Sequence, residues 1–169
     1  MANKHILTVE EFKELARPTS KHVDEDEVIA FVRECEDIHI IPAVGLEKYQ
    51  ALLEESISEP DKILLEGGIY EKDGKKEKCA GLKTALAYFV YAKMAMADGS
   101  IMTRSGMVQH NDSYAERTDD KNRVRRYDDV MNVAEEYLNT ALLYLRTLEG
   151  YEETKPVRGT RLKIHSIGD

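Results

Sequence analysis

Gly81-Leu82-Lys83-Thr84-Ala85-Leu86-Ala87-Tyr88-Phe89-Val90-Tyr91-Ala92-Lys93-Met94-Ala95-Met96-Ala97 is the stretch that decides the fold. Leu82, Leu86, Phe89, Ala92 or Lys93, and Met96 recur at spacings of three and four, the period of an α-helix. A helix this apolar is expected to be buried on most of its circumference. The stretch carries no paired carboxylates, no metal-ligand spacing and no glycine-rich phosphate loop. Its clearest reading is a packing element, which points toward a structural protein and away from an enzyme.

The same pattern extends outward on both sides. On the N-terminal side the central helix is expected to begin near Lys78, after an exposed loop or small hairpin around Asp73-Gly74. Asp98-Gly99 closes it. A last helix spans 123–148, with Tyr127, Val130, Ala134, Tyr137, Ala141, Leu145 and Leu148 on one face. Between the two, residues 99–121 have almost no periodicity and read as one long loop, the kind of segment that is usually functional or mobile.

Upstream, Thr8-Val9-Glu10-Glu11 is a capping box, with a short helix to Ala16 that Pro18 stops. Asp24-Glu25-Asp26-Glu27 opens a second helix, its acids suited to the positive end of the helix dipole. Val28, Val32, Cys35 and Ile38 or His39 mark the inner face, and Pro42 ends or kinks the element. Gly45 redirects the chain into a third helix, 46–55, with Tyr49, Leu52 and Leu53 inward. Ser58-Glu59-Pro60-Asp61 starts another short helix that ends at Gly67-Gly68. The tail after Gly150 alternates polar and apolar through Arg161-Leu162-Lys163-Ile164-His165-Ser166-Ile167 and reads as a strand without a partner in the rest of the chain. The expected fold is therefore all-α: a single-domain bundle of four to six helices over 1–150, a long loop, and an extended, strand-like basic tail over 151–169.

Bulk properties narrow the function classes. A chain of 169 residues, 42% hydrophobic and 33% charged, is one globular domain able to bury a core. The net charge of −8 argues against generic nucleic-acid binding through the whole surface. The charge is uneven: from Lys155 onward four Lys/Arg face one acid, a local +3 that leaves −11 for the first 154 residues. Cys35 and Cys79 are too few for a disulfide framework and read as reduced, buried thiols of a cytosolic protein. The first residues have no apolar core before Glu10-Glu11, so no signal peptide is expected. Lys83 and Lys93 interrupt the longest apolar run, so no membrane span is expected.

No catalytic, cofactor-binding or metal-ligating set emerges. The acids at 24–27 are adjacent on a helix and cannot converge on one ion by themselves. His5, His22, His39, His110 and His165 are scattered, with no zinc spacing. His110, near Asp112, is the least implausible base, but it lacks a nucleophile neighbour. Arg123, Arg125 and Arg126 cluster at the start of the last helix. They suit an acidic partner or DNA phosphate, or pairing with Asp119, Asp120, Asp128 and Asp129. Tyr88, Tyr91, Tyr127, Tyr137 and Tyr144 suit a core with hydroxyls at the rim, or a subunit interface.

Four strings resemble the head–tail connector (adaptor) proteins of long-tailed phages, in the prophage-type form. They are Leu7-Thr8-Val9-Glu10-Glu11-Phe12-Lys13-Glu14-Leu15-Ala16-Arg17-Pro18, Asp24-Glu25-Asp26-Glu27-Val28-Ile29-Ala30-Phe31-Val32, Gly81-Leu82-Lys83-Thr84-Ala85-Leu86-Ala87-Tyr88, and Thr103-Arg104-Ser105-Gly106-Met107-Val108. With the order of elements, the resemblance covers about residues 6–148. The resemblance implies a non-enzymatic, all-helical virion subunit that joins copies of itself in a ring of about a dozen under the portal. Portal and tail-completion proteins would be its other partners, and any DNA contact would lie inside the ring lumen. It implies assembly in the cytoplasm of a bacterial host and residence in the virion neck. Contacts between neighbours would come from the long loop (Arg104, Met107) and the terminal arm (Arg161, Leu162, Ile164, Ile167), joined by Arg123, Arg125 and Arg126. The 99–121 loop and the basic tail are larger than a minimal connector needs. The competing reading is a small helical module that binds nucleic acid or protein through the three arginines and the tail.

Overall fold

The computed structural model describes residues 5–19, 23–54, 56–97, 100–103, 106–109 and 120–148. Its elements are α1 (Val9–Leu15), α2 (Glu25–Cys35), a π-helical turn (Glu36–Ile40), α3 (Ile41–Val44), α4 (Leu46–Leu52), α5 (Glu59–Glu66), β1 (Gly68–Lys72), β2 (Lys75–Cys79), α6 (Leu82–Ala97), β3 (Ser100–Thr103), β4 (Gly106–Gln109) and α7 (Asp120–Leu145). The α2 helix, π turn and α3 run on without a break, so the described residues form about six helical rods and two small antiparallel hairpins. The all-helical expectation is thereby corrected to a mostly helical domain. The strand expected at 151–169 lies outside the described residues.

Helix α6 is the axis of the core. Leu82, Ala85, Leu86, Ala87, Phe89, Val90, Tyr91 and Ala92 are all buried, so nearly every face is covered, as its composition requires. Helix α7 packs along it, and α1, α2 and α5 close the other sides. From α7 come Val130, Ala134, Ala141 and Leu145; Phe12 comes from α1, and Val28, Val32 and Cys35 from α2. The lysines that interrupt the apolar run pin α6 to its neighbours: Lys83 Nζ donates to Glu11 Oε1 at 2.5 Å and Lys93 Nζ to Glu34 Oε1 at 2.7 Å. Met96, expected inward, is instead 44% exposed at the end of the helix.

Local sequence explains most boundaries. Thr8 caps α1 in a reciprocal box: its hydroxyl accepts from Glu11 N–H at 3.2 Å, and Glu11 Oε2 accepts from Thr8 N–H at 3.0 Å. Leu7 and Phe12, at the staple positions flanking that cap, are both buried. Asp24 caps α2 by accepting from Asp26 and Glu27 N–H, and Ser58 caps α5. Gly45 turns the chain at φ 87°, and Gly67 ends α5 at φ 92°. Helix α4 stops at Leu52, short of the expected Glu55.

Two expectations fail for identifiable reasons. Residues 75–79 form β2, paired with β1 in the register Gly68↔Cys79 through Lys72↔Lys75, so α6 starts at Leu82 and not at 78. The switch is set by Asp73-Gly74, at φ 51° and 74°, a turn with both central residues left-handed that matches the twist of a hairpin. The second correction falls within 99–121, where Ser100–Thr103 pairs with Gly106–Gln109 as another hairpin. Strands of four residues give too little alternation to be read from the sequence.

The base of the β1–β2 hairpin is a pinch of two glycines. A Cβ on Gly67 would lie 2.6 Å from Ala80 O, and one on Gly81, itself at φ +88°, would lie 2.5 Å from Gly67 N. The hairpin also leans on α7: the Tyr70 and Tyr144 rings are 4.8 Å apart, and Ala80 N–H donates to Thr140 Oγ1 at 3.1 Å.

Candidate interaction surface and buried polar cluster

The three arginines of α7 do not act as one patch. At about 100° per residue, Arg123 and Arg126, three apart, share one side of the rod and Arg125 lies on another. Arg126 turns to the body: its guanidinium donates to the Tyr91 hydroxyl and lies 5.5 Å from the Tyr91 ring centroid. Arg125 is exposed and Arg123 half-buried. Asp129, one of the acids expected to offset this cluster, takes Arg17 instead, at 2.8 Å. Met107 lies in β4 opposite Met102. Arg104 and the tail residues Arg161, Leu162, Ile164 and Ile167 lie outside the described residues, as do His22, His110 and His165.

The tyrosines divide between core and rim. Tyr88 and Tyr137 meet edge to face at 5.0 Å. Tyr144 is buried, with its hydroxyl donating to Pro60 O at 3.1 Å.

One cluster was missed by sequence reasoning. Glu36, in the π turn, is only 2% exposed, the one buried charged residue among those described. Its Oε1 accepts from Ile6 N–H at 2.9 Å, and its Oε2 lies 2.6 Å from His5 Nδ1. Tyr49 in α4 is a further neighbour; burial first, and then the Glu36 charge, push its hydroxyl pKa up. One carboxylate thus ties the N-terminal segment to the junction of α2 and α4. The signal was present: position 36 continues the 28, 32 spacing of the apolar face, where a Glu has to find partners. Removing one member of a buried polar set leaves the others unsatisfied. Glu36→Ala is expected to cost about 3 kcal/mol, read from urea unfolding, while the exposed neighbour change Asp37→Ala should shift the midpoint by less than about a quarter of that.

Reactive groups in the described core are quiet. Burial pushes the Cys35 thiol up to about 12, and burial likewise raises Cys79, so both are held as thiols at neutral pH. His39 stacks on Phe89 at 4.1 Å; burial, then Lys93, lower its pKa. Among the described residues no three His, Cys, Asp or Glu side chains gather as a metal site, and no helix is long and apolar enough to cross a membrane.

No curated protein and no solved structure matches the chain. A family model does match residues 40–161, from the end of the π turn through α6, both hairpins and α7. The match takes in more than half of the sequence, and the chain belongs to that family, a family of unknown function (DUF6712).

Proposed function

We infer that the chain is a non-enzymatic head–tail connector subunit of a phage or prophage, assembling with copies of itself into a ring at the portal in the virion neck. The observation that carries the reading is a rigid helical body bearing an exposed, lysine-rich hairpin, β1–β2, on a fixed base. Ring subunits need both parts, a body that holds its shape and an extension that grips the next copy. The resemblance of the four strings supports the same reading. They fall on α1 with its cap, the start of α2, the start of α6 and the β3–β4 hairpin. Portal and tail-completion proteins are the partners this reading requires, with DNA inside the lumen.

The test is co-assembly. Full-length protein and a version ending at Gly150 are incubated with portal rings and sized by light scattering. Full-length protein should add a stoichiometric ring of mass, and the shortened version should add less. No added mass, together with DNA binding that weakens steeply with salt, would replace the connector by a nucleic-acid-binding module. Turnover of a substrate by the unassembled chain would replace it by an enzyme.

A further inference from the structure

Two exposed surfaces on opposite signs of charge stand out once the hairpin register is known. Alternation along the strands puts Ile69, Glu71, Lys76 and Lys78 on the outward face of β1–β2, with Ile69 across from Lys78 and Glu71 across from Lys76. All four are exposed, and Ile69, at 70%, is the most exposed large apolar residue among those described. The other surface is the outer side of α2. Ile29, 44% exposed, lies one turn beyond Glu25 and Asp26 and one turn before Arg33, and these three neighbours are also exposed. Glu25 is shared with Lys13 at 3.3 Å, while the Asp26 carboxylate has no ion pair among the described residues.

We propose that the outward face of the β1–β2 hairpin docks on the outer face of α2 in a second copy of the chain. Each surface carries one exposed isoleucine. On the hairpin Lys78 lies directly across from it and Lys76 diagonally, and on the helix Glu25 and Asp26 lie one turn before it. The minority charges match as well: Glu71 on the hairpin corresponds to Arg33 on the helix. Apolar contact beside complementary charge divides the work of a specific interface: the apolar part supplies affinity and the charges supply register and encounter rate. The two surfaces are different parts of one chain, so the contact is head-to-tail, and it forms a ring or a filament according to its rotation. The proposal rests on the connector reading and names the contact that reading requires.

Two double variants test it: Lys76→Glu with Lys78→Glu, and Glu25→Lys with Asp26→Lys. All four positions are exposed. The helix-start pair disturbs only weak end electrostatics, and circular dichroism melts check that both fold. Ile29→Asp is a third variant that keeps the acidic helix start intact. Mass is followed by light scattering against concentration, alone and on portal rings. The unaltered chain should assemble, and less readily as salt rises. Each variant alone should need at least about tenfold more protein for half assembly. An equimolar mixture of the two double variants should recover assembly, because the reversed charges complement each other. If the unaltered chain and every variant assemble alike, the contact is wrong and the connector reading stands. If the unaltered chain assembles neither at millimolar concentration nor on portal rings, both are wrong.

Discussion

Leu86→Asp is expected to leave no cooperatively folded domain. Leu86 is fully buried on the element that α1, α2, α5 and α7 all touch. The change removes a large apolar side chain from a packed site, a loss of about 2–5 kcal/mol for truncation alone. It also places a carboxylate where no partner is provided, which adds several kcal/mol or forces the group to stay protonated. Together these approach the whole stability of an ordinary domain, about 5–15 kcal/mol. Circular dichroism at room temperature should show lost helicity and no sigmoidal melt. Leu86→Met, nearly equal in volume, should melt within a few degrees of the parent. A cooperative melt of Leu86→Asp near the parental midpoint would show that α6 is not the buried axis.

The second large effect is at a residue with no side chain. Gly81→Val is expected to cost about 4 kcal/mol or more, beyond the range of most single substitutions. At φ +88° an L-residue is already strained, and a β-branched one more so. The new Cβ would also meet Gly67 N at 2.5 Å and Glu66 C at 2.6 Å, backbone atoms that cannot swing aside. The comparison is Gly74→Ala in the hairpin turn, also at positive φ but with nothing within 4 Å of its Cβ. That change carries the conformational penalty alone, about 1–2 kcal/mol. Unfolding in urea separates the two. Equal costs at both positions would mean that the pinch relaxes and the hairpin base is soft.

Legibility of the fold followed the range of the physics. Caps and stops are written in a few adjacent residues, so Thr8, Asp24, Ser58, Gly45 and Gly67 could be placed from the sequence. The start of α6 could not. Lys75–Lys78 are good helix formers, and only the turn at Asp73-Gly74 and the strand it pairs with make them β2. The face read for α2 is right for Val28, Val32 and Cys35, all buried, and for His39, which stacks on Phe89, while Ile38 is 53% exposed. What could not be read is the π turn at Glu36–Ile40, which widens the helix and after which Ile40 is fully buried. Pro42 is the local reason. It has no N–H to give back to the preceding turn, and the Ile41 N–H reaches to Glu36 O instead. The arginine cluster was legible as composition but not as a surface, because the Arg126–Tyr91 contact belongs to tertiary packing. The exposed faces that now carry the docking proposal became visible only with the register of β1 on β2.

That hairpin has a mechanical property that its sequence alone does not advertise. A protrusion on an ordinary loop pivots, and a chain of pivoting links wanders. Here the two glycines at the root interlock, Ala80 is tethered to α7, and Tyr70 rests against Tyr144, so the root offers no hinge. Whatever the tip holds is held at an angle dictated by the body. In a head-to-tail assembly every copy then repeats the same angular step. Errors do not accumulate from link to link, and circumference becomes a property of one subunit's shape.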